Sequence, residues 1–275
     1  MGYAYKIEPG KSVSLNHYNP DHDEGLTHEE GLAAFRKLNG ELDALQEEMY
    51  AAGANSLLMI VQAPDTGGKD GTIRNVLVNV NPQGCQVEAF KVPTEEELGH
   101  DFLWRAHKVV PRMGMLGVFN RSYYEDVLVV RVHKLVPEHV WKARYDQIND
   151  FERMLAANGT IIRKFFLQIS KEEQERRLLA REKDVEKAWK LAAGDWKERE
   201  YWEEYMKAYE DAISRCNEHH APWYIVPANK KWFRDLAVCE VLVEAMREAR
   251  KSWDKTLKAM SRARLAELAE YRGMR

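Results

Sequence analysis

One stretch limits what this chain can fold into more than any other: the apolar run Ser56 to Gln62 (SLLMIVQ) leads straight into Ala63-Pro64-Asp65-Thr66-Gly67-Gly68-Lys69-Asp70-Gly71-Thr72. A short run without polar alternation is the pattern of a strand buried on both faces of a parallel sheet. A glycine-rich turn after such a strand and before a helix can aim successive backbone N–H groups, and the helix N-terminus, at a phosphate.

Similar apolar runs occur at Gln86 to Val92, Leu116 to Asn120, Ile161 to Ile169 and Trp223 to Val226, with helical stretches beginning near Thr72, Thr94, Ser122, Pro137, Ser170 and Lys231. Strands that alternate with helices predict a doubly wound α/β sheet, here with five strands. Thr27 and Glu30 form a capping box, and Leu32, Phe35, Leu38, Leu42, Leu45 and Met49 then recur on one helical face as far as Gly53. Residues 1–26, rich in Gly, Pro, Asn and Asp, read as an extended or partly disordered strap in which no chemistry is expected. Residues 27–275 form the main domain. Ser170 to Ala221 exceeds what one crossover helix needs and predicts a helical insertion or lid at about 171–205.

The loop departs from the nucleoside-triphosphate pattern GxxxxGK[ST], which would require Gly at 63 and Ser or Thr at 70 in place of Ala63 and Asp70. Read as an exposed loop lysine, Lys69 is the point charge for bridging and terminal phosphate oxygens. Asp65 is suited to bind magnesium or orient an attacking phosphate oxygen. The phosphate-binding segment is Gly67, Gly68, Lys69, Asp70, Gly71 and Thr72. A second cluster, Asn120-Arg121-Ser122-Tyr123-Tyr124-Glu125-Asp126, follows another strand, so its polar groups reach the carboxyl edge of the same sheet, where open α/β sheets bind ligands. Arg121 can grip phosphate with two N–H groups, while Glu125 and Asp126 are hard oxygen ligands suited to magnesium.

Composition removes other classes. The 41 Lys and Arg against 44 Asp and Glu leave a net charge of −3, so no global positive field draws the chain to nucleic acid or membrane. Three separated cysteines, Cys85, Cys216 and Cys239, form neither a CxxC pair nor a metal cluster, which implies a reducing cytoplasm. No signal peptide, membrane span or myristoylation motif is expected.

The motifs QAPDTGGKDGTIRNV, NPQGCQVEAFKVPTEEELGHDFLWR and GVFNRSYYEDVLVVRVH, with KAWKLAAGDWKEREYWEEYMKAYEDAISRC and APWYIVPANKKWFRDLAV, resemble the family-2 polyphosphate kinases over about residues 10 to 250. The resemblance implies a P-loop kinase-like three-layer fold with a helical lid, magnesium as cofactor, and phosphoryl transfer between inorganic polyphosphate and a nucleotide. It assigns catalysis to Asp65, Lys69 and Arg121. Ala63 stands where Gly is common in the family, Pro64 is unusual, and Asn120 stands where many members have Asp. The Tyr-Glu-Asp continuation resembles the subgroup acting on both nucleoside mono- and diphosphates, in which Glu125 would help Asp65 hold magnesium.

The lid supplies Arg177, Arg181, Lys183, Lys187 and Lys190, interleaved with Trp189 and Trp196; Arg177 and Arg181 are the candidates for touching phosphate. Nine basic against nine acidic residues in 171–200 leave a salt-bridged helical face as the competing reading of the others. Lys91 is a further phosphate-binding candidate, and with Arg112, Arg131 and Lys134 it either lines a polyanion channel or sits on the surface. Thr94 with Glu97 caps a helix beside His100, and His100, His107 and His133 are not expected to bind metal. Leu236, Val243 and Met246 belong to the core or to a subunit interface, and a homo-oligomer is expected. Two other functions remain open: a nucleoside-triphosphate-dependent small-molecule kinase, and a nucleotide-binding module without turnover.

Overall fold

The computed structural model describes residues 2–183 and 193–273. In chain order the elements are β1 (Tyr5–Lys6), α1 (His28–Ala52), β2 (Ser56–Gln62), α2 (Lys69–Val76), β3 (Cys85–Ala89), α3 (Glu95–Leu98), α4 (Trp104–His107), β4 (Leu116–Asn120), α5 (Val129–Val132), α6 (Glu138–Ala157), β5 (Thr160–Gln168), α7 (Lys171–Glu182), α8 (Ala193–Glu200), α9 (Trp202–Arg215), β6 (Trp223–Pro227) and α10 (Lys231–Gly273). The expected capping boxes open α1 and α3. Thr27 Oγ1 accepts the Glu30 N–H at 3.3 Å while Glu30 accepts the Thr27 N–H at 2.9 Å, and Thr94 and Glu97 repeat the exchange. Gly53, in the left-handed region at φ 59°, closes α1.

The sheet runs β1-β6-β5-β2-β4-β3. All five strands expected from the apolar runs are present and parallel. A sixth, β1, comes from the N-terminal strap and pairs antiparallel with β6, Tyr5 opposite Ile225. Two residues carry too little pattern to announce a strand; backbone pairing to an exposed edge makes it one. The rest of the strap lies along the domain, with the Gln168 side chain donating to the carbonyls of Leu15 and Tyr18, each at 2.9 Å.

Strand order reverses at β2: β4 and β3 lie on one side, β5 and β6 on the other. The chain's first glycine-rich crossover therefore starts at the topological switch point, where the carboxyl ends of diverging strands leave a crevice. Pleating divides β2 between two cores. Leu57, Met59 and Val61 pack with residues of α1, α2 and α10, and Leu58 and Ile60 pack with residues of α6, α9 and the 3-10 turn Tyr123–Asp126. This gives the three layers, each fully buried Leu or Ile contributing about 2 kcal/mol. Leu236, Val243 and Met246 are wholly buried, and Val243 and Met246 belong to the first core.

Two boundaries differ from expectation by three residues, and the helix expected near Ser122 is only the four-residue 3-10 turn Tyr123–Asp126. The third strand ends at Ala89 rather than Val92, because Phe90 N–H makes the last bond to the Asn120 carbonyl and Pro93 has no N–H to continue the ladder. It is also an edge strand, with Val87 half exposed. The helix expected near Thr72 starts at Lys69, since Thr72 N–H already bonds back to the Gly68 carbonyl at 2.9 Å. Among the described residues no helix is long and apolar enough to cross a membrane.

Candidate active site

The loop between β2 and α2 takes its shape from two residues in the left-handed region, Thr66 at φ 62° and Gly68 at φ 100°. Gly68 has no alternative: a Cβ there would come within 2.0 Å of the Arg234 guanidinium. Arg234, almost wholly buried at the start of α10, is held by Asp235 at 2.6 Å and 2.8 Å. A Cβ at Gly67 would meet Ala63 Cβ at 2.6 Å and the Pro64 carbonyl at 2.8 Å. The loop thus curls tightly even with Ala63 and Pro64 in place of the commoner residues.

Lys69, expected to be exposed, is only 9% exposed. Its Nζ donates to the Ala63 carbonyl at 2.8 Å and to that of Pro64 at 3.3 Å. Burial, reinforced by the Arg121 charge, pulls its pKa down to about 8 against the opposing pull of Asp65, Glu125 and Asp70. Thr72 is buried and its hydroxyl donates to the Gly68 carbonyl at 3.1 Å, whereas Asp70 is exposed.

Arg121 leaves the end of β4 at φ 61°, its N–H bonded to the Val61 carbonyl on β2 at 3.0 Å. That backbone placement turns the side chain over the loop. Nη2 donates to Asp65 Oδ1 at 2.7 Å and Nη1 to Glu125 Oε2 at 3.1 Å, so one planar guanidinium spans both carboxylates. Burial works against its charge, but Glu125 and Asp65 outweigh burial and hold its pKa above the ordinary value. The structure therefore brings Asp65, Lys69, Arg121 and Glu125 together. Asn120 donates to Asp70 at 2.7 Å, joining the second cluster to the loop once more. Asp126 points elsewhere: Arg144 of α6 donates to its Oδ1 at 2.9 Å, and burial pushes its pKa up to about 6.

The insertion closes the cleft from the other side. Gln174 donates to the Asp65 carbonyl at 3.1 Å and Arg177 to the Thr66 carbonyl at 3.0 Å, so α7 is bonded directly to the loop. Arg177 is buried, and its remaining nitrogens donate to Glu173, Ala228 and Asn229. Arg181 lies 3.7 Å from Asp195. Lys91 and Lys183 are exposed, and Trp196 donates to Glu182 at 2.8 Å. Lys187, Trp189 and Lys190 lie outside the described residues. The cleft is lined by Asp65, Arg121 and Glu125 on one wall and by Glu198, Trp202, Tyr205, Met206 and Tyr209 on the other.

The family model described as Polyphosphate kinase 2 (PPK2) matches residues 25–254. The chain belongs to the polyphosphate kinase 2 family. It is 50% identical over 244 residues to an AMP/ADP-polyphosphate phosphotransferase of Meiothermus ruber, covering 88% of this chain and 91% of that one. An ADP-polyphosphate phosphotransferase of Rhodopseudomonas palustris is 46% identical, over 84% of this chain and 83% of its own. The crystal structure of polyphosphate kinase 2 from Arthrobacter aurescens TC1 superposes with a TM-score of 0.84 at 44% identity, covering 88% of this chain and 92% of that one. The α/β nucleotide-binding fold with helical insertions and the phosphotransferase class follow from this kinship.

The far wall of the cleft escaped the sequence reading. Trp202, Tyr205, Met206 and Tyr209 recur at three- and four-residue spacing on α9, so the helical period was the available signal. Arg234 carried no local signal, because what makes it matter is Gly68, far away in the chain. Among the described residues no group of three or more His, Cys, Asp or Glu side chains could hold a metal alone. Magnesium keeps several waters and takes one or two carboxylates together with phosphate oxygens, so the pair Asp65 and Glu125, both gathered on one guanidinium, fits it.

Proposed function

We propose that the cleft at the carboxyl end of β2 transfers a phosphoryl group reversibly between inorganic polyphosphate and AMP or ADP, with Asp65, Lys69 and Arg121 as the catalytic residues. The observation that carries this reading is the Arg121 guanidinium spanning Asp65 and Glu125 beside a desolvated Lys69. A terminal phosphate oxygen of the nucleotide attacks the terminal phosphorus of polyphosphate. The bridging P–O bond breaks, and the shortened chain leaves with the electron pair. Lys69 trades its loop carbonyls for phosphate oxygens, while the N–H groups of Gly68 to Gly71 meet the same anion; that of Gly67 is committed to the Pro64 carbonyl at 3.0 Å. Arg121 offers two N–H groups to the transferred phosphoryl, and Asp65 orients the attacking oxygen. Magnesium, held by Asp65 and Glu125 with phosphate oxygens and water, supplies charge neutralisation when bound.

The lid reading covers α7 and α8. Arg177 holds the Thr66 carbonyl of the loop in place, Arg181 and Lys91 are the further side chains for a phosphate chain, and closure excludes water. Glu125 extends acceptor scope to AMP, which has a shorter reach than ADP and needs the metal held without help from a second phosphate. Purified protein incubated with magnesium, polyphosphate and AMP or ADP, followed by chromatography of the nucleotides, tests the proposal. ADP and ATP should form only when polyphosphate is present. Formation from a nucleoside triphosphate donor alone would transfer the assignment to a small-molecule kinase.

A further inference from the structure

The 3-10 turn Tyr123–Asp126 is only four residues long, yet its side chains point in three directions. Glu125 meets Arg121 at the cleft and Asp126 meets Arg144, whose Nη1 also takes the Asp126 carbonyl at 3.0 Å. Tyr123 and Tyr124 are wholly buried, and both hydroxyls donate to one oxygen, Glu152 Oε1, at 2.8 Å and 2.9 Å. Glu152 of α6 and Lys164 of β5 are themselves at 0% exposure and 2.5 Å apart. The remaining donors of the ammonium go to the Tyr124 hydroxyl at 3.0 Å and to the Cys216 carbonyl at 2.6 Å. Every hydrogen-bonding position of this ammonium is occupied, and both carboxylate oxygens are paired.

We propose that Glu152 and Lys164 are positioning residues for phosphoryl transfer: from inside the core they clamp Tyr123 and Tyr124, and so aim Glu125 at Arg121 and the cleft. The inference rests on the reading of Glu125 as a metal-holding residue. A buried ion pair is a poor way merely to fill a core, because hydrophobic replacements of similar volume are often neutral or stabilising. What this pair adds is direction. A 3-10 turn has weak hydrogen-bond geometry of its own, and two phenols converging on one oxygen fix its rotation about the strand end. Lys164 also reaches the carbonyl after α9, the helix that carries Tyr205 and Tyr209. One ammonium thereby registers both walls of the cleft to β5.

The double variant Tyr123→Phe/Tyr124→Phe removes both hydroxyls, keeps the packed rings and leaves Glu152 paired with Lys164. It should fold, exchange amide hydrogens of residues 121–128 faster while those of β2 and α10 are unchanged, and need about tenfold more magnesium for half-maximal rate, with kcat largely recovered at saturation. A merely structural role would lower Tm and leave the exchange pattern and magnesium dependence as in the parent, which overturns the proposal. Glu125→Gln is titrated in parallel. If that variant shows parental magnesium dependence, the metal reading of Glu125 is wrong and the clamp is judged on local exchange alone: faster exchange in 121–128 supports it, unchanged exchange overturns it. If Glu125→Gln shifts the magnesium midpoint and the double variant does not, the functional role is refuted. Should the double variant fail to fold, Tyr123→Phe, which leaves Tyr124 between Glu152 and Lys164, is read by the same measurements.

Discussion

Two charged clusters meet the turn Tyr123–Asp126, one at Glu125 and the other at Tyr123 and Tyr124, and they use the same chemistry to different ends. At the cleft, Arg121 spans Asp65 and Glu125 with side-chain exposures of 35%, 26% and 13%. Beneath it, Lys164 and Glu152 are closed off completely, with tyrosine hydroxyls and a backbone carbonyl completing their shells. An open cluster can exchange its internal bonds for those of an incoming phosphate. A closed one has nothing left to offer a ligand and can only hold geometry. Charge and residue type do not separate the two; access to solvent does.

The largest effect should come from the buried lysine of the loop beside the open cluster. Lys69→Met keeps the aliphatic stem and should cost about 10³-fold in kcat/KM, the order expected for losing a preorganised charge at the transferred group, with little change in Tm. A rate within a few-fold of the parent in the folded variant would falsify the assignment. Next, Lys164→Met tests the closed cluster by leaving Glu152 buried without its cation, and about 3 kcal/mol of stability should be lost in urea unfolding. A loss under about 1 kcal/mol, the range of exposed pairs, would erase the distinction between the clusters.

Arg121→Lys preserves charge but not the planar fork that reaches both carboxylates. About 30-fold lower activity is expected, close to that of Arg121→Ala; parental activity would mean that charge alone matters there. The pH profile separates free from bound states. Below about 8 the Lys69 ammonium is charged in the free protein, and above it the charge is lost, so kcat/KM with polyphosphate should fall as pH rises through about 8. Bound phosphate favours the charged form, so the fall in kcat should come at higher pH; coincident profiles would remove Lys69 from the titration. The smallest expected effect is one of ratio. Glu125→Gln should lower the AMP rate about fivefold more than the ADP rate at saturating magnesium. An equal loss with both acceptors would instead favour a role in the first turn of its short helix, where an acid gains a little from the dipole.

Much of the fold was legible because its signals are local. The apolar runs marked β2, β4, β5 and β6 to within a residue or so, and the Thr27–Glu30 and Thr94–Glu97 boxes marked two helix starts. β1 was not legible, since pairing with β6 rather than any pattern of its own makes it a strand. In the site, the loop and the Arg121 cluster could be named from spacing. The burial of Lys69 could not, because it depends on carbonyls that the loop turns inward. Nor could the commitment of Arg177 to the Thr66 carbonyl, 111 positions away.

Sequence by itself determined which groups were available: a glycine-rich loop with a lysine after a buried strand, an arginine and acids after another, and a helical insertion. Those properties depend on neighbours within a few residues, where backbone geometry leaves little choice. Only the tertiary structure decided how the acids were shared out, sending Glu125 to Arg121, Asp126 to Arg144, and Glu152 to Lys164 and two tyrosines. Adjacent carboxylates in a 3-10 turn point about a third of a revolution apart, so each meets whatever element packs on its own side. The order of strands and the placement of α6 set those partners, and no local spacing contains that information.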